Sequence, residues 1–165
     1  MSGTARLGLP LLSAGQAQKE VTHNEALQTL DSLVVGAVEE PPRLESPGTP
    51  VVGACYIVGT APTGEWAGKP QYVAAFTSAG WRLLPPQEGM TFYVRSTAVW
   101  AVFRAGAWEL GQMRGSSLLI DGEQVVGSRA AAIASTSGGT TVDSEARAAI
   151  DQILVALRQH GLIEP

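Results

Sequence analysis

Part of this chain repeats itself, and the repeat limits what it can fold into. Ala74-Ala75-Phe76-Thr77-Ser78-Ala79-Gly80-Trp81-Arg82-Leu83 returns 27 positions later as Ala101-Val102-Phe103-Arg104-Ala105-Gly106-Ala107-Trp108-Glu109-Leu110, with alanine, phenylalanine, tryptophan and leucine at matching places. Each copy predicts a hairpin: an alternating strand that ends at phenylalanine, a turn of small residues with glycine, and a second strand opened by tryptophan. A further strand precedes each hairpin, because Gly53-Ala54-Cys55-Tyr56-Ile57-Val58 is similar to Gly89-Met90-Thr91-Phe92-Tyr93-Val94. Two strand-plus-hairpin units give about six strands, enough for a small sheet or sandwich. Neither unit buries its hydrophobic face alone, so the two are expected to cover each other. This β zone runs over 50–111. The connector inside the first unit, Gly59–Gln71, is long, and its counterpart Arg95–Ala98 is short.

On the N-terminal side, residues 1–40 read as an arm followed by a helix. Thr22 and Glu25 have the spacing of a capping box, and Leu27, Leu30, Val34 and Ala37 recur at three and four residues as one apolar stripe. Ser13 and Gln16 form a second candidate box. Glu39-Glu40-Pro41-Pro42 is the expected stop. On the C-terminal side, 112–142 reads as one more hairpin about Asp121-Gly122, followed by an extended linker over Ala130–Thr141. A helix follows over 143–165, capped by Asp143 or Thr141, with Gly161 past its end and Leu162 folding back on Leu157. Ala146, Ile150, Ile153 and Leu157, widened by Leu154, form its stripe. A lone amphipathic helix of this length is marginal in water, so it docks on its own β zone or pairs with copies of itself. We read it as oligomerising, with branched seam residues leaning toward a homotrimer and a pentamer as the other closed ring. The expected class is α+β: an N-terminal helix, a small antiparallel β domain of two repeated units, and a C-terminal oligomerising helix.

Composition narrows the function. A formal net charge of −4 with 16% charged residues supplies no basic footprint for nucleic acid. The apolar stretch Leu7–Leu12 contains Pro10 and is too short for a signal-peptide core or a bilayer span, so cytoplasmic synthesis without membrane insertion is expected. Cys55 stands alone in an apolar run and reads as a buried, inert thiol. His23 and His160 read as surface or seam residues. With one cysteine and two histidines, no metal site is expected. We find no phosphate cradle or nucleophile elbow, and therefore expect no cofactor and no enzyme. Glu65 and Glu88 are the only carboxylates we weigh as a glycosidase pair.

Two groups of side chains read as binding surfaces. Among the four tryptophans, Trp81 and Trp108 hold equivalent places in the repeat and read as core. Trp66 and Glu65, in a turn-rich loop, and Trp100 are candidates to contact a glycan or a partner. Gln16, Gln18, His23 and Asn24 concentrate hydrogen-bonding groups that suit an assembly interface.

The run LGLPLLSAGQAQKEVTHNEALQTLDSLV over Leu7–Val34, with GACYIVG, TGEWAG and AAFTSAGWRLLPPQEG after it, resembles an uncharacterised-domain family found in alphaproteobacterial prophages and gene transfer agents. QVVGSRAAAI, TVDSEARAAI and LRQHGLI, from Gln124 onward, resemble the C-terminal tails of phage fibre and spike proteins, which are typically trimeric. The resemblance implies a structural virion component, a head spike, fibre or adaptor. Its expected partners are capsid, spike or tail proteins of the particle and the polysaccharide of a recipient cell surface. A free-standing carbohydrate-binding module is the competing expectation.

Overall fold

In the computed structural model, residues 3–13 and 19–165 are described. The chain divides into two units, Met1–Gln112 and Met113–Pro165. It is an α+β protein with a helix in each unit and small, mainly antiparallel sheets.

The repeat sets the strand pairing of unit 1. The first copy forms β2 (Cys55–Ile57), β3 (Val73–Thr77) and β4 (Gly80–Leu84), and the second forms β5 (Thr91–Val94), β6 (Val99–Arg104) and β7 (Ala107–Leu110). Each trio is an antiparallel sheet in the same register. Tyr56, Ala74 and Leu83 stand in one row of the first, and Phe92, Ala101 and Leu110 in the matching row of the second. Phe76 faces Trp81, and Phe103 faces Trp108, as direct cross-strand partners. Their ring centroids lie 4.8 and 5.3 Å apart, a geometry worth about 0.5–1.5 kcal/mol beyond burial. The second hairpin closes on Ala105-Gly106, both at positive φ, the requirement of a two-residue turn that follows the strand twist.

The two sheets stack front to back. Phe92, Phe103 and Trp108, on the aromatic face of the second, share one core with Cys55, Ile57, Val73, Ala75 and Leu84 on the back of the first. The aromatic face of the first sheet points away from that core. The connector between β2 and β3 covers it: a single 3-10 turn, Gly64–Trp66, drives Trp66 into Val58 and Ala74, beside Tyr56, Tyr72, Trp81 and Leu83.

A strand that the sequence pattern does not announce ties the two sheets together. β1 (Ala37–Val38) pairs in parallel with β5, and the chain then switches sheets, where Glu39 N donates to Cys55 O and Arg43 N to Ile57 O. Val38 is fully buried in the shared core. A Cβ on Gly36, just before β1, would lie 2.8 Å from Thr91 O, so a side chain there would push β1 off β5.

Helix α1 (Lys19–Val34) corrects three expectations. Thr22 lies inside it and does not cap it. The helix ends before Gly36, well short of Pro41, and Ala37 belongs to β1. Its apolar stripe is largely open, with Leu30 and Val34 exposed, while Asp31 and Ser32 are buried. The reason is the arm: Asp31 Oδ1 accepts from Thr4 Oγ1 at 2.7 Å and Leu7 N at 2.6 Å, and Oδ2 accepts from Arg6 N at 3.0 Å. The box beginning at Ser13 extends outside the described residues.

Unit 2 holds the hairpin of β8 (Leu118–Ile120) and β9 (Glu123–Val126), whose turn residues Asp121 and Gly122 both have positive φ. In α2 (Ser144–Gln159), Asp143 caps the start by accepting from Ala146 N, Gly161 follows the end at positive φ, and Leu162 N donates to Leu157 O. The segment expected as a linker instead lies along α2. Ala130 pairs with Ile163, Arg158 donates to Ile133 O, and Arg147 to Gly138 O.

Candidate binding and assembly surfaces

Trp66 is not available to a ligand. It is fully buried, with its ring 5.1 Å from Trp81 and 6.0 Å from Tyr56. Gly64 and Gly68, both at positive φ, turn the connector so that its large residue points inward. Glu65 fastens that cap, its Oε2 accepting from Trp81 Nε1 at 3.1 Å and Ser46 Oγ at 2.9 Å. Glu88, the other member of the candidate glycosidase pair, accepts from Ala105 N in the β6–β7 turn. Each acid therefore has a local structural task.

Trp100 is half exposed and lies on the open back of the second sheet. Strand alternation places Trp100, Val102 and Arg104 of β6 on that face, with Thr91 and Tyr93 of β5 and Glu109 of β7 beside them. Tyr93 and Trp100 are cross-strand partners in edge contact at 5.5 Å, and Arg104 and Glu109 form an ion pair at 2.8 Å. The same face of the first sheet, Ile57, Val73 and Ala75, is buried under the second. In the second, the short Arg95–Ala98 turn has no room to supply a cover. Its outer face is therefore an aromatic platform with a polar border, a form suited to the apolar side of a sugar ring or a flat protein surface.

Asn24 has a partner in its own chain. Its amide donates to Leu12 O and accepts from Leu12 N, at 3.0 and 2.9 Å, and so ties the arm to α1. His23 is exposed and lines an open cleft of about 610 Å³ with Leu12, Lys19, Thr22 and Ala26. Gln16 and Gln18 lie outside the described residues.

The arm builds a site that sequence reasoning missed. Arg6 donates to Ser32 O at 3.2 Å, Ala37 O at 2.9 Å and Cys55 Sγ at 3.2 Å. Burial pushes the Cys55 thiol up from its usual range, and the Arg6 guanidinium opposes that shift. Beside these contacts lies a cleft of about 500 Å³, lined by Val35, Val51 and Val52 and by the polar groups of Arg6, Glu39, Tyr56 and Arg95. Glu39 and Arg95 sit 3.4 Å apart. The only sequence signal is Asp31, an acid one residue from the apolar stripe of α1.

In α2, Leu154 is buried on the face that Arg147 and Arg158 tie to the preceding segment, so it does not belong to the open seam. Ala146, Ile150 and Ile153 are exposed and Leu157 is partly so, which leaves the rest of the expected stripe without cover in its own unit. The hairpin is more open still, with Leu118, Leu119, Ile120, Val125 and Val126 all about half exposed.

Among the described residues, no group of three or more His, Cys, Asp or Glu could hold a metal ion, and no helix is long and apolar enough to cross a membrane. Unit 1 is thus a two-layer β module with one capped end and one open end. The chain belongs to the family described as protein of unknown function DUF2793, which matches residues 23–109. The match starts within α1 and ends in β7, leaving the arm and all of unit 2 outside it. No curated protein matches the chain.

Proposed function

We propose that the chain is a homo-oligomeric structural component of a phage-like particle, in which unit 2 assembles copies and unit 1 presents its open β face to saccharide on a recipient surface. One observation carries the reading: in unit 2 only Leu154 and Ile163 are buried hydrophobics, while Met113, Ile133, Val142, Ile150, Ile153 and Val155 stand exposed beside the apolar hairpin. Apolar surface on that scale marks an interaction site. Trp100 and Tyr93 supply one shallow platform per chain, and such sites bind weakly alone. Joining several on one particle raises avidity by about 10²–10⁴ where the geometry allows simultaneous contact. The resemblance to prophage and gene transfer agent proteins is what suggests the particle. A free-standing carbohydrate-binding module is the second reading, favoured by the Tyr93–Trp100 face taken alone.

Light scattering on the full chain separates the two, because the module needs no assembly. The proposal expects a closed oligomer that Ile150→Asp/Ile153→Asp disperses to monomers in which unit 1 still melts cooperatively. Retention of the oligomer on capsular polysaccharide should fall at least about tenfold with Trp100→Ala, with no loss of assembly. A monomeric wild-type chain would defeat the assembly reading, and unchanged retention would defeat the role of the platform.

A further inference from the structure

The β8–β9 hairpin has no core of its own. Cross-strand pairing places Leu118, Ile120 and Val126 on one face with Glu123, and Leu119 with Gln124 on the other, and the four apolar side chains are each about half exposed. An isolated two-stranded hairpin is marginal in water, so this one needs cover. Its attachment decides what can provide it. Four residues after β9, Ala130 is anchored beyond the end of α2, where it donates to Leu162 O at 3.0 Å and accepts from Glu164 N at 2.9 Å. Arg158 and Arg147 then hold the next residues along the helix. Four residues span at most about 14 Å, so each hairpin is tethered within that distance of the C-terminal end of α2.

We infer that the β8–β9 hairpins of sister copies pack against one another beside the C-terminal ends of their α2 helices, as a second inter-copy surface continuous with the helix seam. The inference rests on the α2 assembly proposed above. Once the seams of Ile150 and Ile153 meet, the tether holds every hairpin close to its sisters, at high effective concentration and with the Leu118, Ile120 and Val126 face of each within reach of the next. On the opposite face Leu119 stands beside Gln124, and a single two-fold contact through the Leu118, Ile120 and Val126 face leaves that leucine in water. A ring in which one face of each hairpin meets the other face of the next covers both, and such heterologous contacts close only with three or more copies. Residues 113–165 carry four arginines against six acids, so like-charge repulsion between copies is small.

Hydrogen–deuterium exchange on the full-length protein tests this. In the assembled wild type, the β8 and β9 amides should exchange at least about 100-fold more slowly than in Ile150→Asp/Ile153→Asp. Leu118→Ser/Ile120→Ser should raise the dissociation constant of assembly by about tenfold or more while unit 1 keeps its cooperative melt. If the wild type assembles but its hairpin amides exchange as fast as in the dispersed variant, the inference is overturned and the α2 reading stands. Assembly of Leu118→Ser/Ile120→Ser as tight as that of the wild type overturns it in the same way. A monomeric wild type overturns both readings.

Discussion

Asp31 should be the most sensitive single side chain outside the β core. Its carboxylate is buried and accepts from one hydroxyl and two backbone amides of the arm. Asp31→Ala strands all three donors. At about 1–3 kcal/mol for each buried donor left unpaired, an arm that stayed in place would cost about 3–9 kcal/mol. The arm's other ties are Asn24 on Leu12 and the Arg6 guanidinium, too few to hold against that penalty. The arm is therefore expected to peel away, which caps the loss at about 2–4 kcal/mol and withdraws Arg6 from Ser32, Ala37 and Cys55. Asp31→Asn keeps Oδ1 for Thr4 and Leu7 and loses only the Arg6 amide, so about 1–2 kcal/mol is expected. For a unit of this size, each kcal/mol moves the melting temperature by about 4 °C. Urea and thermal unfolding, followed by fluorescence of the buried Trp66 and Trp108, measure the loss, and limited proteolysis of residues 3–13 reports the arm. Asp31→Ala within about 1 °C of wild type, with a protease-resistant arm, would show that the hydrogen bonds do not hold it.

Two further outcomes follow from close contacts in unit 1. Gly36→Ala forces a Cβ to 2.8 Å from Thr91 O and should lower the urea midpoint by an amount equivalent to about 1–3 kcal/mol without changing the circular dichroism of the folded state; an unchanged midpoint refutes it. Burial raises the Cys55 thiol above its ordinary value of 9.0, so the folded state holds its proton more tightly than the unfolded chain. The thiol's contribution is complete below that ordinary value and is lost as pH climbs toward the folded one, so stability should fall as the pH rises above about 9. Cys55→Ala should show a shallower fall over the same range, and parallel profiles for the two proteins would remove the thiol as the cause.

The parts of the fold legible in the sequence are those where side-chain identity and strand register are the same information. A phenylalanine and a tryptophan placed across a short turn pair in only one way, and the second copy confirms the register of the first. Trp66 reads wrongly in the sequence because Thr63, Gly64 and Gly68 carry the signals of a surface turn. The same glycines allow the backbone to reverse and send a bulky ring inward. The usable clue is the unequal length of the two connectors, since only the longer can reach back over its sheet. β1 is hidden for a different reason: two residues cannot display a period, and the Glu39–Pro42 stop dominates its neighbourhood. The open stripe of α1 reflects competition between burial of Leu30 and Val34 and the polar grip of Asp31 on the arm, which no periodicity argument weighs.

Front-to-back stacking has a consequence that a face-to-face sandwich avoids. Two sheets packed face to face bury both inner faces in one shared core, whereas units stacked in the same sense always leave one aromatic face and one back face at the ends. Here the aromatic end is closed by Trp66, even though its indole N–H is buried without a partner and carries a cost of about 1–3 kcal/mol. The rings of Tyr56, Tyr72 and Trp81, with Val58 and Leu83, offset that cost, so the cap is a feature the chain maintains against a polar penalty. The back end has no comparable cover. Trp100 and Tyr93 occupy the positions that Val73 and Ile57 fill in the first unit, where they are buried. Large aromatics with polar edges replace aliphatics at the one layer that meets water. If that face were merely an unfinished end, small polar residues would serve there at lower hydrophobic cost. Aromatic residues in its place fit the contact surface proposed above, and because the ring is half buried and meets Tyr93 edge-on, Trp100→Ser should lower the stability of unit 1 by about 1–2 kcal/mol, less than the about 3–5 kcal/mol of a fully buried tryptophan; an unchanged urea midpoint would refute the packing of that pair.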